Sequence, residues 1–239
     1  MSSSEVLLVG AGPMAIAYAH VLKEMGRELV VLGRGAESAA AFAEATGVQP
    51  STGDLGDQLV ARGSLPEEAI VAVNAMYLAD VTITLMNAGC RRILVEKPAA
   101  LDEAELRSLV EAAESTGTEL RVGYNRRFLS SVIAARQMIE EDGGVLSAKF
   151  DFSEPSRRIA TLPKPQRELD TWFYGNSSHV VDLAFNLAGG GTPAAGCHST
   201  PQAFSSVMRR RRAAPWSPGT PTGSARAAGA SRSSRPSDV

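Results

Sequence analysis

Small residues spaced for phosphate binding lie near the N-terminus. Gly10, Gly12 and Ala15 follow the apolar run Val6–Val9, and a segment with helical spacing comes directly after them. Gly10 permits a tight turn, Gly12 lets the backbone approach a pyrophosphate, and Ala15 lets the helix pack closely on the strand. Free N–H groups and a partial positive charge at the helix start favour an anion. The spacing predicts a dinucleotide site at Gly10, Gly12, Pro13, Met14 and Ala15, and the alternative is a glycine-rich turn that binds nothing.

The end of the second apolar run indicates which dinucleotide binds. An NAD site usually has an acid there to bind the ribose hydroxyls, whereas an NADP site has a residue that tolerates a phosphate. Here the run ends in Gly33-Arg34-Gly35, and no acid follows until Glu37. We therefore expect NADP, with Arg34 on the 2′-phosphate and Ser38 assisting. The alternatives are NAD as the cofactor and an exposed loop arginine without a ligand.

The elements that must position these residues follow a regular alternation. Short runs of strand formers alternate with helix-length segments, which is typical of a parallel sheet with helical crossovers. We predict an α/β fold, a doubly wound (Rossmann) domain over residues 1–123. The runs are Val6–Val9, Leu29–Leu32, Ala69–Val73, Ile93–Val95 and Leu120–Val122, and the helical segments are Ala15–Met25, Glu37–Ala45, Ala79–Ala88 and Glu103–Ser115.

A pair of charges directly follows the fourth run. Glu96, Lys97 and Pro98 come immediately after Ile93–Val95. The carboxyl ends of parallel strands open on the ligand crevice, so charged side chains at this point can reach a ligand. The alternative is an exposed ion pair at a strand end.

Four stretches in this order carry a family resemblance. The glycine motif, VEKPAAL, RVGYNRRF and SSHVVDLAFNLAGG together resemble the Gfo/Idh/MocA family of NAD(P)-dependent oxidoreductases, over about residues 5–191. The resemblance implies hydride transfer between a nicotinamide and a sugar, polyol or related hydroxyl or carbonyl substrate. The alternative is a noncatalytic dinucleotide-binding protein or an inactive, truncated member of the family.

The resemblance also implies roles for single residues. Lys97 lies beside the nicotinamide and the reacting carbon in that family, where an amine can relay the proton of a substrate hydroxyl. Pro98 can take the cis form there. Cofactor contacts are expected from Asn74, Glu96 and Lys97, and substrate contacts from Tyr124, Asn125 and Arg126. Arg127 and Phe128 have a plainer interpretation, in which they begin a helix over 129–140 and serve packing.

His179 is the second catalytic residue that the resemblance implies. It begins an amphipathic helix, and an imidazole there can relay the substrate proton or bind its hydroxyl. Many family members have an aspartate four residues before this histidine, but this chain has Gly175. Either Asn176 takes over substrate binding or the chemistry is impaired. Asp182, one turn later, could orient His179 or could be solvated.

The last third of the chain departs from the family pattern. We expect residues 124–191 to begin an α+β substrate domain and residues 192–239 to form a disordered tail, because the tail is dominated by Ala, Arg, Ser, Pro and Gly. The tail could be a natural extension, a basic patch for nucleic acid or localisation, or the product of a shifted reading frame near residue 192. The third explanation accounts best for a family sheet that begins and then stops.

Composition limits the remaining classes of function. Of the net charge of −2, the residues from Arg209 onward carry +6, so the preceding body is acidic and argues against a nucleic-acid partner. The two cysteines and three histidines show no metal-ligand spacing. The N-terminus resembles neither a signal peptide nor a membrane span, so we expect a cytoplasmic protein with a small-molecule substrate and no membrane partner. The homo-oligomer common in the family is expected to be lost or altered.

Overall fold

Six short strands from the first half of the chain pair in parallel into one sheet. The computed structural model describes residues 5–189, 198–200 and 203–209. The strands are β1 (Glu5–Val9), β2 (Glu28–Gly33), β3 (Ser51–Thr52), β4 (Glu68–Val71), β5 (Arg92–Val95) and β6 (Glu119–Val122). Their order across the sheet is β3-β2-β1-β4-β5-β6, so the direction of winding reverses between β1 and β4. A crevice beyond the carboxyl ends of the strands is expected at such a reversal.

Helices cover both faces of this sheet. Successive side chains of a strand point to opposite faces, so a continuous apolar run makes both faces apolar. In β1, Leu7 lies in a core cluster with Leu85, whereas Leu8 lies in the opposite cluster with Phe42. All four side chains are fully buried, each worth about 1.5–3 kcal/mol of transfer free energy. The covering helices are α1 (Pro13–Glu24), α2 (Ala36–Thr46), α3 (Leu55–Arg62), α4 (Leu78–Asn87) and α5 (Glu103–Thr116).

The predicted doubly wound fold is confirmed, with one strand and one helix more than the sequence indicated. β3 has only two residues, both exposed, so it lacks the apolar run by which a strand is identified. α3 has no fully buried residue, which weakens its helical pattern. The β4 strand ends at Val71, two residues earlier than predicted.

The chain continues beyond β6 in short elements that return to the carboxyl edge of the sheet. A 3-10 turn, Asn125–Phe128, follows β6. The next helix along the chain therefore begins at Ser130 and not at Arg127. Arg167 pairs with Asp102 at 2.9 Å and also with Glu105, and so ties this segment to α5. The elements are α6 (Ser130–Glu141), β7 (Ser147–Phe150), α7 (Ser156–Ile159), α8 (Gln166–Asp170), the π-helical Phe173–Ser177 turn and α9 (Ser178–Leu187). The division at residues 123 and 191 stays a prediction.

Two strands lie within the region expected to be a disordered tail. β8 (His198–Thr200) and β9 (Ala203–Arg209) form an antiparallel sheet with β7, in the order β7-β9-β8. The expectation that residues 192–239 form a disordered tail stays a prediction. The other residues of 192–239, Cys197 among them, lie outside the described residues.

Neither a membrane span nor a metal cluster is found in the described part of the chain. No helix among the described residues is both long and apolar enough to cross a bilayer. Within the same residues no three His, Cys, Asp or Glu side chains are grouped so that they could hold a metal ion.

Candidate active site

The turn after β1 is built around Gly10. This residue has φ +123°, and a Cβ placed on it would lie 2.3 Å from the carbonyl oxygen of Ala72. Its N–H donates to Leu32 O at 2.8 Å, and the N–H of Ala72 donates to Val9 O at 2.8 Å. The turn therefore joins the carboxyl ends of β1 and β2 to the residue after β4, and only glycine fits there.

Gly12 is the N-cap of α1 and leaves the helix start open. No side chain caps the first turn, and Pro13, at the first helical position, has no N–H that needs a partner. A Cβ on Gly12 would meet no protein atom within 4 Å. Ala15 is fully buried, which allows the close packing of helix on sheet that its position in the motif requires. Open space before free N–H groups fits the pyrophosphate of a dinucleotide.

A cavity of about 450 Å³ opens beside this turn, at the reversal between β1 and β4. Gly10, Gly12, Arg34, Ser38 and Asn74 line it, as the sequence predicted for a cofactor site. Pro13, Met14 and Ala15 are not among the residues that line it. In the helix start they contribute backbone and packing, although Met14 is largely exposed.

Arg34 lies at the mouth of this cavity with an aromatic partner. Its guanidinium carbon is 5.0 Å from the ring centroid of Tyr77, within the range of a cation–π contact. Ser38, in the first turn of α2, donates its hydroxyl to Gly35 O at 3.1 Å, which links it to the loop that carries Arg34. Sequence reasoning did not single out Tyr77, because nothing in its neighbourhood indicates contact with a residue 43 positions earlier.

Two further polar residues of the cavity were missed. Asp54 caps α3, accepting from Asp57 N at 3.3 Å, and Gln58 donates to Gly33 O and Gly53 O at 3.0 Å each. Gln58 thereby ties the loop after β3 to the end of β2. An Asp before a helical run is a capping signal that could have revealed α3.

Asn74 serves the turn after β4 as well as the cavity. Its side-chain oxygen accepts from Met76 N at 2.9 Å and caps the short 3-10 turn Ala75–Tyr77. The residue therefore places Tyr77 opposite Arg34, a role that the family resemblance alone did not suggest.

Glu96 is not among the residues that line the dinucleotide cavity. Its carboxylate, in a residue only 9% exposed, accepts a hydrogen bond from the Tyr18 hydroxyl at 2.6 Å. Burial, followed by the nearby Glu96 carboxylate, raises the pKa of Tyr18 well above its ordinary value. A Cβ on Gly123 would lie 3.2 Å from both groups, so glycine leaves room for the pair. The structure thus does not bring Glu96 to the cavity where a cofactor contact was expected.

Lys97 extends into a second, smaller cavity between the sheet and the later segment. Its Nζ donates to Gly175 O at 2.8 Å. The cavity measures about 190 Å³, and Trp172 and Asn176 line it with Lys97. The Lys97–Pro98 peptide is cis, the form that was expected to be open to Pro98. The backbone carbonyl of Gly175 therefore faces the amine where many relatives are expected to have a carboxylate.

His179 lies in the first turn of α9, against Tyr124. The two rings meet edge to face with centroids 5.8 Å apart, and His179 Nδ1 is buried without a hydrogen-bond partner among the described residues. Burial lowers the pKa of His179, and the positive charges of Lys97 and Arg126 lower it further. The Asp182 carboxylate opposes this shift in pKa. At neutral pH the imidazole is uncharged and can accept a proton.

Asp182 has a different partner from the histidine that the sequence suggested. Its carboxylate accepts a hydrogen bond from Arg127 Nε at 2.8 Å and another from a second nitrogen of the same guanidinium. The Asp182 side chain is only 9% exposed, so it is not a solvated helix residue. The pair holds the Asn125–Phe128 turn on α9 and thereby brings Tyr124 to His179, which gives Arg127 the packing role that was the plainer interpretation.

The predicted substrate residues fall into two groups. Tyr124 and Arg126 lie near His179. The ring of Tyr124 contacts the imidazole, and the positive charge of Arg126 lowers the pKa of His179. Asn125 lies between these two residues in the sequence and is the first residue of the 3-10 turn. Asn176 lines the Lys97 cavity, but its amide donates to Glu154 Oε1 at 2.7 Å.

Comparison with known proteins identifies the family. Residues 4–124, about half of the chain, match the model of the GFO_IDH_MocA family, described as an oxidoreductase family with an NAD-binding Rossmann fold. The chain belongs to the Gfo/Idh/MocA family. This confirms the resemblance found in the four sequence stretches.

Two curated relatives each match about half of the chain. An uncharacterized oxidoreductase of Schizosaccharomyces pombe is 28% identical over 137 residues, which is 56% of this chain and 37% of the relative. A myo-inositol dehydrogenase of Streptomyces leeuwenhoekii is 32% identical over 124 residues, 52% of this chain and 37% of the relative. The chain thus spans little more than a third of the length of these Gfo/Idh/MocA proteins.

Solved structures of similar fold extend the match beyond the Rossmann domain. Myo-inositol 2-dehydrogenase from Lactobacillus plantarum has a TM-score of 0.64 at 20% identity, covering 77% of this chain and 56% of that one. The WlbA dehydrogenase of Chromobacterium violaceum, solved with NADH and UDP-GlcNAcA, has a TM-score of 0.63 at 19% identity and covers 79% and 56%. At these identities the likeness concerns the fold.

Proposed function

We propose that this chain is an NADP-preferring oxidoreductase that transfers hydride between the nicotinamide and a sugar, polyol or related hydroxyl or carbonyl substrate. The observation that carries the proposal is the placement of Lys97 and His179 in one neighbourhood, at the same sheet edge as an open glycine turn. Charge coupling between the two side chains contributes to the lowered pKa of His179. A dinucleotide held at Gly10 and Gly12 would lie along this edge.

The acid/base chemistry falls to Lys97 and His179. A nicotinamide dinucleotide held at Gly10 and Gly12 would supply the acceptor for a hydride, both electrons of one substrate C–H bond, so that an alcohol would become a carbonyl. Lys97 takes the proton that the hydroxyl releases while it passes one of its own protons on. His179 accepts that proton, because its lowered pKa keeps the imidazole neutral at pH 7. In the opposite direction the Lys97 ammonium polarises the carbonyl and returns a proton to the oxygen.

The preference for NADP rests on Arg34. No carboxylate stands at the end of β2, where NAD enzymes bind the ribose hydroxyls. Arg34 instead offers a planar fork of donors to a phosphate, and Tyr77 restricts where the guanidinium lies. Ser38 adds a hydroxyl from the first turn of α2.

The substrate class rests on the Lys97 cavity and on the relatives. Trp172, Asn176 and Thr171 line the cavity, so it offers an aromatic face and polar groups to a ring that carries hydroxyls. A relative named as a myo-inositol dehydrogenase acts on a polyol of this kind. Tyr124, Asn125 and Arg126 would contact the same substrate from the opposite side.

The experiment follows the absorbance of the reduced nicotinamide while the chain is mixed with NADP⁺ and a panel of cyclitols, sugars and sugar acids. The proposal expects reduction of NADP⁺ with at least one polyol or sugar, and slower reduction of NAD⁺. Tight binding of the dinucleotide without turnover on any substrate would contradict it.

A second candidate function is a noncatalytic dinucleotide-binding module. The observation in its favour is Gly175, whose carbonyl rather than a carboxylate meets Lys97. Under this hypothesis the dinucleotide binds with unchanged affinity in Lys97→Met, and no substrate is turned over by either form. Measured turnover that depends on Lys97 would exclude the module.

A further inference from the structure

Glu154 holds the turn that faces Lys97. Its Oε1 accepts hydrogen bonds from Asn176 Nδ2 and Ser177 Oγ, both at 2.7 Å. Its Oε2 accepts a longer one from Trp172 Nε1 at 3.3 Å. Trp172 directly precedes the Phe173–Ser177 turn, and Ser177 is its last residue. One carboxylate therefore holds both ends of the turn.

Gly175 lies inside this turn and supplies the partner of Lys97. The Nζ–O distance of 2.8 Å depends on where the backbone carbonyl points, because Gly175 has no side chain that could reach the amine. A Cβ on Gly175 would meet nothing within 4 Å outside the residue's own turn, and the Gly175 N–H donates only a long hydrogen bond, to Thr171 O at 3.3 Å. The carbonyl therefore keeps its place only if the neighbouring residues hold the turn.

We propose that Glu154 is a positioning residue, which fixes the Phe173–Ser177 turn and through Gly175 O fixes the side chain of Lys97. This proposal rests on the proposed function for its meaning, since Lys97 is the proton relay there. It also explains how a chain with Gly175, where the family resemblance implies an aspartate, can still orient this lysine. The carboxylate is supplied from the segment after β7 and acts through the backbone.

Glu154 does not itself fit a catalytic role. It is not among the residues that line the Lys97 cavity, and both of its oxygens already accept hydrogen bonds. Burial alone would raise the pKa of the Glu154 carboxyl, but the bonds from Ser177, Asn176 and Trp172 outweigh this and lower the pKa overall. The group stays ionised at neutral pH and is a strong acceptor.

The test measures the reactivity of the Lys97 amine, which needs neither cofactor nor turnover. The full chain is labelled with a trace of acetic anhydride, and the rate at each lysine is read by peptide mass spectrometry. In Glu154→Ala the turn loosens, and Lys97 should be acetylated about fivefold faster or more, the scale of one lost hydrogen bond. In Glu154→Gln one oxygen still accepts from Asn176 or Ser177, so the rate should return most of the way to wild type.

Two other lysines serve as internal controls. Lys23 donates to Thr46 O at 2.7 Å within the Rossmann domain, and Lys149 is largely exposed on β7. Both should keep their wild-type rates in Glu154→Ala if only the turn has loosened. Should that variant fail to fold, Asn176→Ala, which removes one of the bonds, should give a smaller increase at Lys97 alone.

An unchanged Lys97 rate in a folded Glu154→Ala protein would overturn the proposal. So would an increase of equal size at Lys23, which would show general loosening. Neither result bears on hydride transfer, so failure of this inference can be told apart from failure of the proposed function.

Discussion

The Tyr18 hydroxyl donates a 2.6 Å hydrogen bond to the buried carboxylate of Glu96. This bond joins α1, the helix that follows the turn at Gly10 and Gly12 (the phosphate turn), to the residue next to Lys97. Tyr18→Phe leaves that carboxylate without its donor and should lower the free energy of unfolding by about 1–3 kcal/mol. Urea denaturation measures the change. Tyr174→Phe, which removes a hydroxyl from a largely exposed ring, is the matched control and should change little. Equal losses in the two variants would show that the contact with Glu96 contributes nothing.

The two glycines of the phosphate turn should fail in different ways. Gly10→Ala places a methyl 2.3 Å from Ala72 O at φ +123°, so the domain should be strongly destabilised. Gly12→Ala places its methyl in open space at φ −90°, so the melting temperature should hold while NADPH and NADH both bind more weakly. Thermal melting and a cofactor titration of both variants check this. If Gly12→Ala binds both cofactors as tightly as wild type does, the pyrophosphate does not bind at this turn.

His179 should make stability depend on pH. Because its pKa is lower in the folded than in the unfolded chain, the unfolded chain binds more protons as the pH falls below the ordinary value of about 6.5. This contribution to stability is therefore lost as the pH falls from 7 toward the folded pKa. Unfolding free energies of wild type and His179→Gln, measured across this range, should converge or cross at low pH. Parallel curves would mean that the His179 pKa is not lowered.

Lys97→Met should separate chemistry from cofactor binding. Phosphate binding depends on Gly10, Gly12 and the start of α1, so NADPH affinity should change little. Turnover on whichever substrate the panel identifies should fall at least about a hundredfold, the usual contribution of an acid/base group. Rapid-mixing kinetics and a titration of the same protein measure both. Near-normal turnover with reduced stability would make Lys97 a structural residue at a strand end.

Much of the fold could be predicted from local patterns. The apolar runs around Leu7, Ile70 and Ile93 are long enough to identify strands buried on both faces, and the glycine motif predicts a tight turn and a helix directly after the first strand. β3 escaped prediction because two exposed residues carry no periodic signal. Its place in the sheet comes from pairing with β2 at Leu32 and Gly33, which is a tertiary effect.

The candidate site was predictable only where a motif names the residue. Gly10, Lys97 and His179 stand in recognisable stretches. Tyr77 and Glu154 do not, because each acts through residues distant in sequence. Tyr77 contacts Arg34, and Glu154 accepts hydrogen bonds from residues of the Trp172–Ser177 stretch. Glu96 stands in a recognisable motif as well, and the fold adds a partner that the motif does not indicate, the Tyr18 hydroxyl. Its contact with the cofactor stays a prediction.

The central claim, a dinucleotide site that prefers NADP, is tested most directly by calorimetric titration of the wild-type chain and Arg34→Ala with NADPH and with NADH. Wild type should bind NADPH more tightly than NADH. Arg34→Ala should lose about 1–3 kcal/mol of NADPH affinity, the scale of a charge-assisted hydrogen bond, and keep its NADH affinity. Equal losses for both cofactors, or a wild-type chain that binds NADH more tightly, would contradict the claim.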